Sequence, residues 1–201
     1  MVKIGVLVSG GGTNLQAILE AQSRGEIPGG QVSLVIASKP GVYALERAAN
    51  FGVEGIVVPR KEYPDTKAYD EALIRELKSR GITLVVLAGF MTVLGPDFIQ
   101  AFPDRILNVH PSLIPAFCGE GYYGLRVHKE ALARGVKVTG ATVHLVNEVC
   151  DGGPILLQKA VEVLPGDTPE VLQRRVMEQA EWKLLPQAIA MICEQERKEQ
   201  E

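Results

Sequence analysis

The chain has 201 residues, of which 46% are hydrophobic, and a formal net charge of −3. This hydrophobic content can fill a sizeable core and excludes an intrinsically disordered chain. The small negative charge comes without a basic run, so neither nucleic acid nor a membrane surface is expected as a partner.

The cysteine pattern and the N-terminal residues indicate the cellular compartment in which the protein is expected. The three cysteines form no CxxC motif, so they predict neither a disulfide framework nor a zinc site. The chain enters its first apolar run at Val2, without the leader and cleavage site of a signal peptide. No apolar run approaches the length of about 18 residues that a membrane span needs. We therefore expect a cytoplasmic protein that does not cross a membrane.

The chain begins with a strand, a glycine-rich loop and a helix. Val2–Val8 is almost wholly apolar, which indicates a strand buried on both faces. Gly11 and Gly12 follow in a run of three glycines, which lets the backbone approach an anion that the free N–H groups of the next helix face. Thr13 and Asn14 are suited to cap that helix or to donate to phosphate oxygens. The pattern predicts a phosphate site, and a tight turn without a ligand is the alternative.

This loop lacks the features of triphosphate and dinucleotide sites. A Walker loop ends in Gly-Lys-Ser/Thr, which the sequence does not contain. The dinucleotide fingerprint has a third glycine where Leu15 stands, and an acidic residue after the second strand, where Ser38 and Lys39 stand. A monophosphate is therefore expected in preference to ATP, and no NAD is expected.

Strands and helices alternate as far as residue 110. Apolar runs predict strands at 32–37, 56–58, 84–88 and 106–110. The spacing of apolar residues predicts helices at 15–24, 43–51, 66–80 and 96–102. This alternation predicts an α/β fold with a doubly wound, mostly parallel sheet. The apolar loop at 89–94 either covers the core or forms the wall of a ligand pocket.

The rhythm changes after residue 110. Residues 116–124 form a glycine-containing loop that is a candidate lid. We expect a helix at 127–134, then strands at 138–146 and 155–163 that pair antiparallel around a polar turn. The final helix is expected from Thr168 to about residue 193, with a kink at Pro186. The charged tail at 194–201 is expected to fray.

Asn108 and His110 lie at the end of the fifth strand, where ligands bind in open α/β sheets. An extended backbone turns both side chains to one face, and a buried polar pair that caps the strand is the alternative. Asp151 lies in a Gly-Gly-Pro turn and is either a turn former or a partner of His110. If the two pair, we expect the imidazolium to be favoured and the pKa of His110 to rise.

These three side chains would support acyl transfer to an amine. Asn108 and a cationic His110 would provide two donors for the charge of a tetrahedral intermediate. Asp151 would take up the proton that the amine sheds. The sequence has no Gly-x-Ser-x-Gly elbow and no His/Cys/acid cluster with metal spacing, so neither a covalent intermediate nor a metal is expected.

Four separated motifs resemble the phosphoribosylglycinamide formyltransferase family. They are VLVSGGGTNLQAI at 6–18, LAGFM at 87–91, LNVHPSL at 107–113 and DGGPI at 151–155. The similarity runs nearly end to end, in the family's order and spacing. It implies a formyltransferase-type, Rossmann-like fold, with a mixed sheet and antiparallel C-terminal strands. It also implies transfer of the formyl group of 10-formyltetrahydrofolate to the amine of glycinamide ribonucleotide in purine biosynthesis.

The resemblance assigns roles residue by residue. The residues that match the family's catalytic trio are Asn108, His110 and Asp151. The residues that match the ribonucleotide site are Gly11, Gly12, Thr13, Asn14 and Glu181, of which Glu181 would bind the ribose hydroxyls. The residues that match the folate pocket are Gly89, Met91, Thr92, Val93, Leu94, Asn147 and Glu148. His144 also matches a family histidine, although its place in a strand favours packing.

The chain departs from the family at three places. Thr92 stands where the best-known members have arginine, so main-chain contacts to the pterin are expected there. Thr66 stands where some members have an arginine that helps to hold the phosphate, and Arg60 or Lys61 could substitute for it. The stretch 118–124 is longer than in some members, which bears on how a lid would close.

Two other functions stay open. A formyltetrahydrofolate deformylase would use the same trio with water as the acceptor, and a non-catalytic nucleotide-binding protein would need only the glycine loop. Methionyl-tRNA formyltransferases lack this loop and carry an extra C-terminal domain for RNA. We expect a single domain over 1–201, with a ribonucleotide-binding half at 1–110 and folate-binding and catalytic loops at 111–193, acting as a monomer or homodimer.

Overall fold

Seven strands and seven helices are present in the computed structural model, which describes residues 1–200. The strands are β1 (Val2–Val8), β2 (Gly30–Ala37), β3 (Glu54–Val57), β4 (Leu84–Leu87), β5 (Ile106–His110), β6 (Val138–Leu145) and β7 (Ile155–Glu162). The helices are α1 (Thr13–Ser23), α2 (Tyr43–Asn50), α3 (Thr66–Ser79), α4 (Pro96–Ala101), α5 (Leu125–Arg134), α6 (Pro169–Val176) and α7 (Trp182–Gln200). None of these helices is long and apolar enough to cross a membrane.

The strands form one mixed sheet in the order β3-β2-β1-β4-β5-β6-β7. Strands β1 to β5 are parallel to one another, whereas β5 pairs antiparallel with β6, and β6 with β7. Parallel neighbours need a long crossover, and the helices α1 to α4 provide it, whereas the antiparallel strands β6 and β7 are joined by the turn at 146–154. The expected α/β fold, with a mostly parallel sheet and antiparallel C-terminal strands, is confirmed.

Two hydrophobic clusters cover the two faces of the sheet. Ile4, Val6 and Val8 of β1 belong to one cluster, together with residues of α1, α2, α6 and α7. Leu7 belongs to the other, together with residues of α3 and α4. Successive side chains of a strand point to opposite faces, so this division follows from the strand's period of two. The central strands are therefore buried on both faces, as their continuous apolar runs predict.

The strand order reverses between β1 and β4, and the loops that follow these two strands meet at their carboxyl ends. The Met91 N–H donates to the Ser9 hydroxyl at 2.9 Å. The same hydroxyl lies 2.7 Å from that of Ser38, at the end of β2. Such a reversal opens the crevice in which α/β proteins bind ligands. The loops after β1 and β4 therefore share one crevice, with the end of β5 beside it.

The C-terminal helical region begins as expected but breaks elsewhere. The Thr168 hydroxyl accepts a hydrogen bond from the Val171 N–H at 3.3 Å, and proline occupies the first turn of α6. The expected single helix is interrupted, because a π-type turn at Met177–Glu181 separates α6 from α7. The second helix, α7, runs on through Pro186, where the kink stays a prediction. The wider turn ends directly before Trp182. The Trp182 carbonyl would normally accept a hydrogen bond from the N–H four residues later, but that residue is Pro186, which has no N–H.

The end of α7 also differs from the expectation. Residues 194–200 continue the helix, although they were expected to fray. Arg105 contacts Glu196 at 3.1 Å, and this ion pair joins the last turns to the body of the protein. Glu201, the last residue of the expected tail, lies outside the described residues.

Candidate active site

β5 presents Asn108 and His110 on one face of the sheet, as the spacing of two predicts. Leu107 and Val109 alternate with them and enter the cluster on the opposite face. In the sheet register, Asn108 is opposite Leu87 of β4 on one side and opposite His144 of β6 on the other. The two polar side chains therefore lie where the parallel and antiparallel parts of the sheet meet.

Asp151 reaches the end of β5 from the turn between β6 and β7. Its Oδ2 lies 3.4 Å from Nδ1 of His110 and accepts the Gly119 N–H at 2.9 Å. Its Oδ1 lies 3.5 Å from Nδ2 of Asn108 and 3.5 Å from Nε2 of His144. The side chain is 9% exposed, so the carboxylate is enclosed by these groups. The three residues that the sequence suggested for the chemistry are thus neighbours in space.

Backbone geometry holds this carboxylate in place. Asp151 has a φ of 54°, in the left-handed region that Asp tolerates better than most residues. Two residues later, a side chain on Gly153 would collide with the carbonyl oxygen of Leu145. The glycine therefore lets the turn fold back against the end of β6, which brings Asp151 over β5.

Asp151 is ionised near neutral pH. Burial by itself raises the pKa of this carboxyl, but the neighbouring imidazoles of His144 and His110 and the Gly119 N–H lower it. The balance holds the pKa of Asp151 below its ordinary value of 3.8. The group can therefore act as a proton acceptor over the physiological range.

The expected rise in the pKa of His110 was wrong. Its side chain is 5% exposed, and burial lowers the pKa of the imidazole below 6.5, although the Phe117 carbonyl and Asp151 act in the opposite direction. The distance of 3.4 Å to Asp151 is too long for a strong hydrogen bond. Desolvation therefore outweighs the carboxylate, and the neutral imidazole is favoured.

The loop at 116–124 covers His110. Nε2 of His110 lies 2.8 Å from the Phe117 carbonyl oxygen, which can only accept, so this nitrogen carries the hydrogen. Phe117 has a φ of 49°, which is unusual for a large side chain. The Ser112 hydroxyl donates to the Ala116 carbonyl at 2.6 Å and helps to hold the loop. The donor atom of His110 is therefore already directed at a carbonyl oxygen.

His144 belongs to the site, although the sequence favoured a packing role. It is 1% exposed, and Nδ1 lies 2.8 Å from the Leu145 carbonyl, so Nδ1 carries a hydrogen. Nε2 lies 3.2 Å from Nδ2 of Asn108 and close to Asp151. Asn108 therefore directs its amide N–H groups at His144 and Asp151 and not into the crevice. The family match of His144 was the signal for this residue, whereas the Phe117 carbonyl and the Gly119 N–H leave no side-chain signal.

The glycine loop caps α1. Gly12 has a φ of 72° and occupies the N-cap position, so the expected caps Thr13 and Asn14 are instead the first two helical residues. The first intrahelical bond runs from the Gln16 N–H to the Gly12 carbonyl, which leaves the N–H groups of Thr13 and Asn14 projecting from the helix end. The Asn14 side chain does not point outward: it donates to Glu181 Oε2 at 2.9 Å.

Glu181 lies beside this loop although 167 positions separate it from Asn14. It is 7% exposed and ends the π-type turn before α7. Burial raises the pKa of Glu181 to about 6, and the hydrogen bond from Asn14 lowers it only in part. A buried carboxylate next to the free end of α1 is suited to accept hydrogen bonds from hydroxyl groups of a ligand.

The residues expected to bind folate lie on two loops that flank the end of β5. The loop after β4 exposes Met91 by 55% and Val93 by 82%, and Leu94 is half-buried. The turn after β6 exposes Asn147 and Glu148. Gly89 has a φ of 69° and starts the first of these loops. The exposed apolar side chains fit a ligand with a flat aromatic ring, as the resemblance implies.

Two of the positions related to the family departures meet at Tyr69. Burial raises the pKa of Tyr69 to about 12, and the Arg60 charge and the nearby Thr92 side chain lower it in part. The Arg60 guanidinium lies 5.6 Å from the Tyr69 ring centroid and donates to the Tyr63 carbonyl at 2.9 Å. Lys61 is exposed, and Thr66 begins α3. Thr92 therefore packs towards α3.

Known proteins match nearly the whole chain. The family model described as "Formyl transferase" matches residues 2–189. A chloroplastic phosphoribosylglycinamide formyltransferase of Arabidopsis thaliana is 41% identical over 194 residues, which are 96% of this chain and 66% of that protein. The phosphoribosylglycinamide formyltransferase of Haemophilus influenzae is 41% identical over 96% of this chain and 88% of its own length.

Solved structures agree with the sequence relatives. The crystal structure of glycinamide ribonucleotide transformylase 1 from Symbiobacterium toebii matches this chain with a TM-score of 0.91 and 47% sequence identity. The match covers 96% of this chain and 88% of the Symbiobacterium chain. Some relatives are much longer: this chain spans 14% of a Drosophila melanogaster protein named trifunctional purine biosynthetic protein adenosine-3. The chain thus spans less than two thirds of the length of several curated relatives it matches, beginning with the Arabidopsis protein.

Proposed function

This chain belongs to the formyl transferase family, and we propose that it transfers the formyl group of 10-formyltetrahydrofolate to the amine of glycinamide ribonucleotide. The observation that carries the proposal is the position of Asp151 between His110 and His144 at the end of β5. This cluster adjoins the crevice that the glycine loop opens. A phosphate site and an acyl-transfer site would therefore serve one small substrate.

The glycine loop would hold the phosphate of the ribonucleotide. The free N–H groups of Thr13 and Asn14 and the positive end of the α1 dipole both favour an anion there. Glu181 would accept hydrogen bonds from the ribose hydroxyls. The phosphate and ribose contacts would together direct the amine of the substrate towards Asp151.

His110 would bind the oxygen of the formyl group. Its Nε2–H donates to the Phe117 carbonyl at 2.8 Å, and the formyl oxygen is a carbonyl oxygen of the same kind. Substrate entry would then exchange one carbonyl partner for the other, with displacement of the 116–124 loop. Asn108 would add a second donor when its amide turns away from His144.

The transfer would proceed by direct attack. The amine nitrogen forms a bond to the formyl carbon, and the oxygen takes up the negative charge beside His110 and Asn108. Asp151, held ionised, accepts the proton that the amine sheds. Collapse of the intermediate breaks the bond between the formyl carbon and the folate nitrogen, and this nitrogen takes the proton back from Asp151, which is thereby ionised again. No covalent enzyme intermediate is formed.

The exposed loops at 89–94 and 147–151 would hold the folate. Met91, Val93 and Val149 supply exposed apolar surface for the pterin, and main-chain groups of the first loop supply hydrogen bonds. The proposal also includes a cytoplasmic location and a monomer or homodimer. Light scattering after size-exclusion chromatography would measure the oligomeric state.

A formyl-transfer assay tests the function. The protein is mixed with 10-formyldideazafolate, a stable analogue of the formyl donor, and release of the deformylated product is followed by absorbance with and without glycinamide ribonucleotide. Release that requires the ribonucleotide supports the transferase. Release without it would instead support a formyltetrahydrofolate deformylase. No release from folded protein that the ribonucleotide alone stabilises against melting would indicate a non-catalytic binding protein.

A further inference from the structure

The glycine loop between β1 and α1 has few side chains to hold its shape. Side chains added to Gly10 or Gly11 would meet nothing within 4 Å, so this part of the loop lies open. Glycine loses more conformational freedom on folding than other residues, so a run of glycines is costly to order. A loop that must present N–H groups to a phosphate in fixed directions therefore needs support from outside.

The helix α2 provides this support. The Ala44 N–H donates to the Gly10 carbonyl at 3.3 Å, and a Cβ on Gly12 would lie 2.7 Å from that of Ala44. Arg47 lies one turn further along α2, and its Nε donates to the Gly11 carbonyl at 2.8 Å. Its Nη1 donates to the Gln16 Oε1 at 2.9 Å. One guanidinium thus joins the loop before α1 to the first turns of α1.

The bond to Gly11 sets the direction of a loop N–H group. The Gly11 carbonyl and the Gly12 N–H belong to the same peptide group, and in a trans peptide they point in opposite directions. Arg47 holds the carbonyl on the α2 side, so the Gly12 N–H is directed away from α2. A hydrogen bond from a cation to the carbonyl also polarises the peptide and strengthens its N–H as a donor.

The charge of Arg47 is not neutralised by a carboxylate. Among the ion pairs of residues 1–200, none includes Arg47. Its guanidinium contacts two neutral oxygens and lies 4.8 Å from the Tyr43 ring centroid. It also lines, with Thr13, an open cleft of about 220 Å³ beside the loop. A full positive charge therefore remains available to a bound phosphate.

We propose that Arg47 is a positioning residue for the phosphate of the ribonucleotide. It fixes the orientation of the Gly11–Gly12 peptide, and its positive charge offsets the negative charge of the phosphate. This inference rests on the proposed function, because it assumes that the glycine loop binds the substrate phosphate. It adds a residue on α2 to a site otherwise formed by the loop, α1 and Glu181. Neither the folate site nor the reacting groups contact Arg47.

The test compares wild-type protein with Arg47→Ala and Arg47→Lys in steady-state formyl transfer. We expect Arg47→Ala to raise KM for the ribonucleotide by about tenfold or more, because a hydrogen bond to a charged group is lost. KM for the folate and kcat should change by less than about threefold, since neither involves the loop. Arg47→Lys should fall between the two, because an ammonium keeps the charge but lacks the fork that spans both oxygens.

Arg24→Ala is the matched control. Arg24 lines the same cleft, but Glu26 holds its guanidinium at 2.7 Å and it does not contact the loop. Its removal takes away the same charge and should leave all three constants unchanged. An unchanged KM for the ribonucleotide in Arg47→Ala, or an equal rise in both KM values, would overturn the inference.

A binding measurement separates this inference from the proposed function. Calorimetric titration with ribose 5-phosphate requires no catalysis, and Arg47→Ala should weaken this binding by about tenfold while Arg24→Ala leaves it unchanged. If wild-type protein shows no ribonucleotide-dependent transfer but Arg47→Ala still loses affinity for ribose 5-phosphate, the proposed function fails and the role of Arg47 stands. Equal affinity in the wild type and Arg47→Ala would overturn that role.

Discussion

Glu181 is a carboxylate whose ionisation should cost the folded protein free energy. It is 7% exposed, and its Oε2 accepts a hydrogen bond from Asn14 at 2.9 Å. Burial raises the pKa of Glu181 from 4.5 to about 6. The interval between these values corresponds to about 2 kcal/mol of differential stability. Between pH 4.5 and 6 the folded state holds this proton more tightly than the unfolded state, so stability falls as the pH rises through that window.

Glu181→Gln should remove this pH dependence. Glutamine keeps an acceptor for Asn14 but cannot ionise, so at pH 8 the variant should exceed the wild type in free energy of unfolding by up to about 2 kcal/mol. The difference should shrink as the pH falls towards 4.5. Urea unfolding at a series of pH values measures it, and KM for the ribonucleotide should rise in the same variant because the ribose hydroxyls lose a charged acceptor.

The neighbouring Glu178 supplies the control for this experiment. It lies on the same turn, but it is exposed and pairs with Arg174 at 2.8 Å. Glu178→Gln should change stability by only a few tenths of a kcal/mol, without a gap that grows with pH. If Glu181→Gln and the wild type keep a constant difference from pH 4.5 to 8, burial does not penalise the Glu181 charge and the reasoning fails.

Asp151→Asn should reduce turnover by about 10²–10⁴-fold while the protein stays folded, as measured by folate release and melting curves; a near-normal rate would rule out proton transfer at this residue. His110→Ala should lose activity similarly, and the double variant should be far from additive because the two groups act together. Gly12→Val places a Cβ 2.7 Å from that of Ala44 at a φ of 72°, so KM for the ribonucleotide should rise far more than KM for the folate; equal rises would locate the phosphate elsewhere. In protein without bound substrate, the pKa of the His110 imidazole should lie below 6.5. It should lie further below 6.5 in Asp151→Asn, because the carboxylate raises this pKa. A pKa above 6.5 measured by ¹⁵N NMR would show that burial does not dominate.

Local patterns in the sequence determine the elements and one half of the site. Apolar runs such as Val2–Val8 predict strands covered on both faces, and Thr168 with Pro169 predicts the start of α6. Asn108 and His110 share a face because a strand has a period of two, whatever surrounds it. The glycine run before α1 predicts an anion site, because glycine and a helix N-terminus favour one together. These inferences depend only on residues close in the chain.

The register of the sheet and the burial of the site are decided by the tertiary structure. Asn108 and Asp151 are 43 positions apart, and only the antiparallel pairing of β5 with β6 brings them together. The same pairing places His144 opposite Asn108. His144, which was expected only to pack in a strand, is therefore part of the cluster around Asp151.

The electrostatics of the site depend on the tertiary structure in the same way. A nearby carboxylate alone predicts a raised pKa for His110, but desolvation under the 116–124 loop reverses the direction. The sequence identified which groups could react because the chemical character of a side chain depends on its residue type. Their distances and protonation depend on every element that packs around them, and only the folded chain determines these.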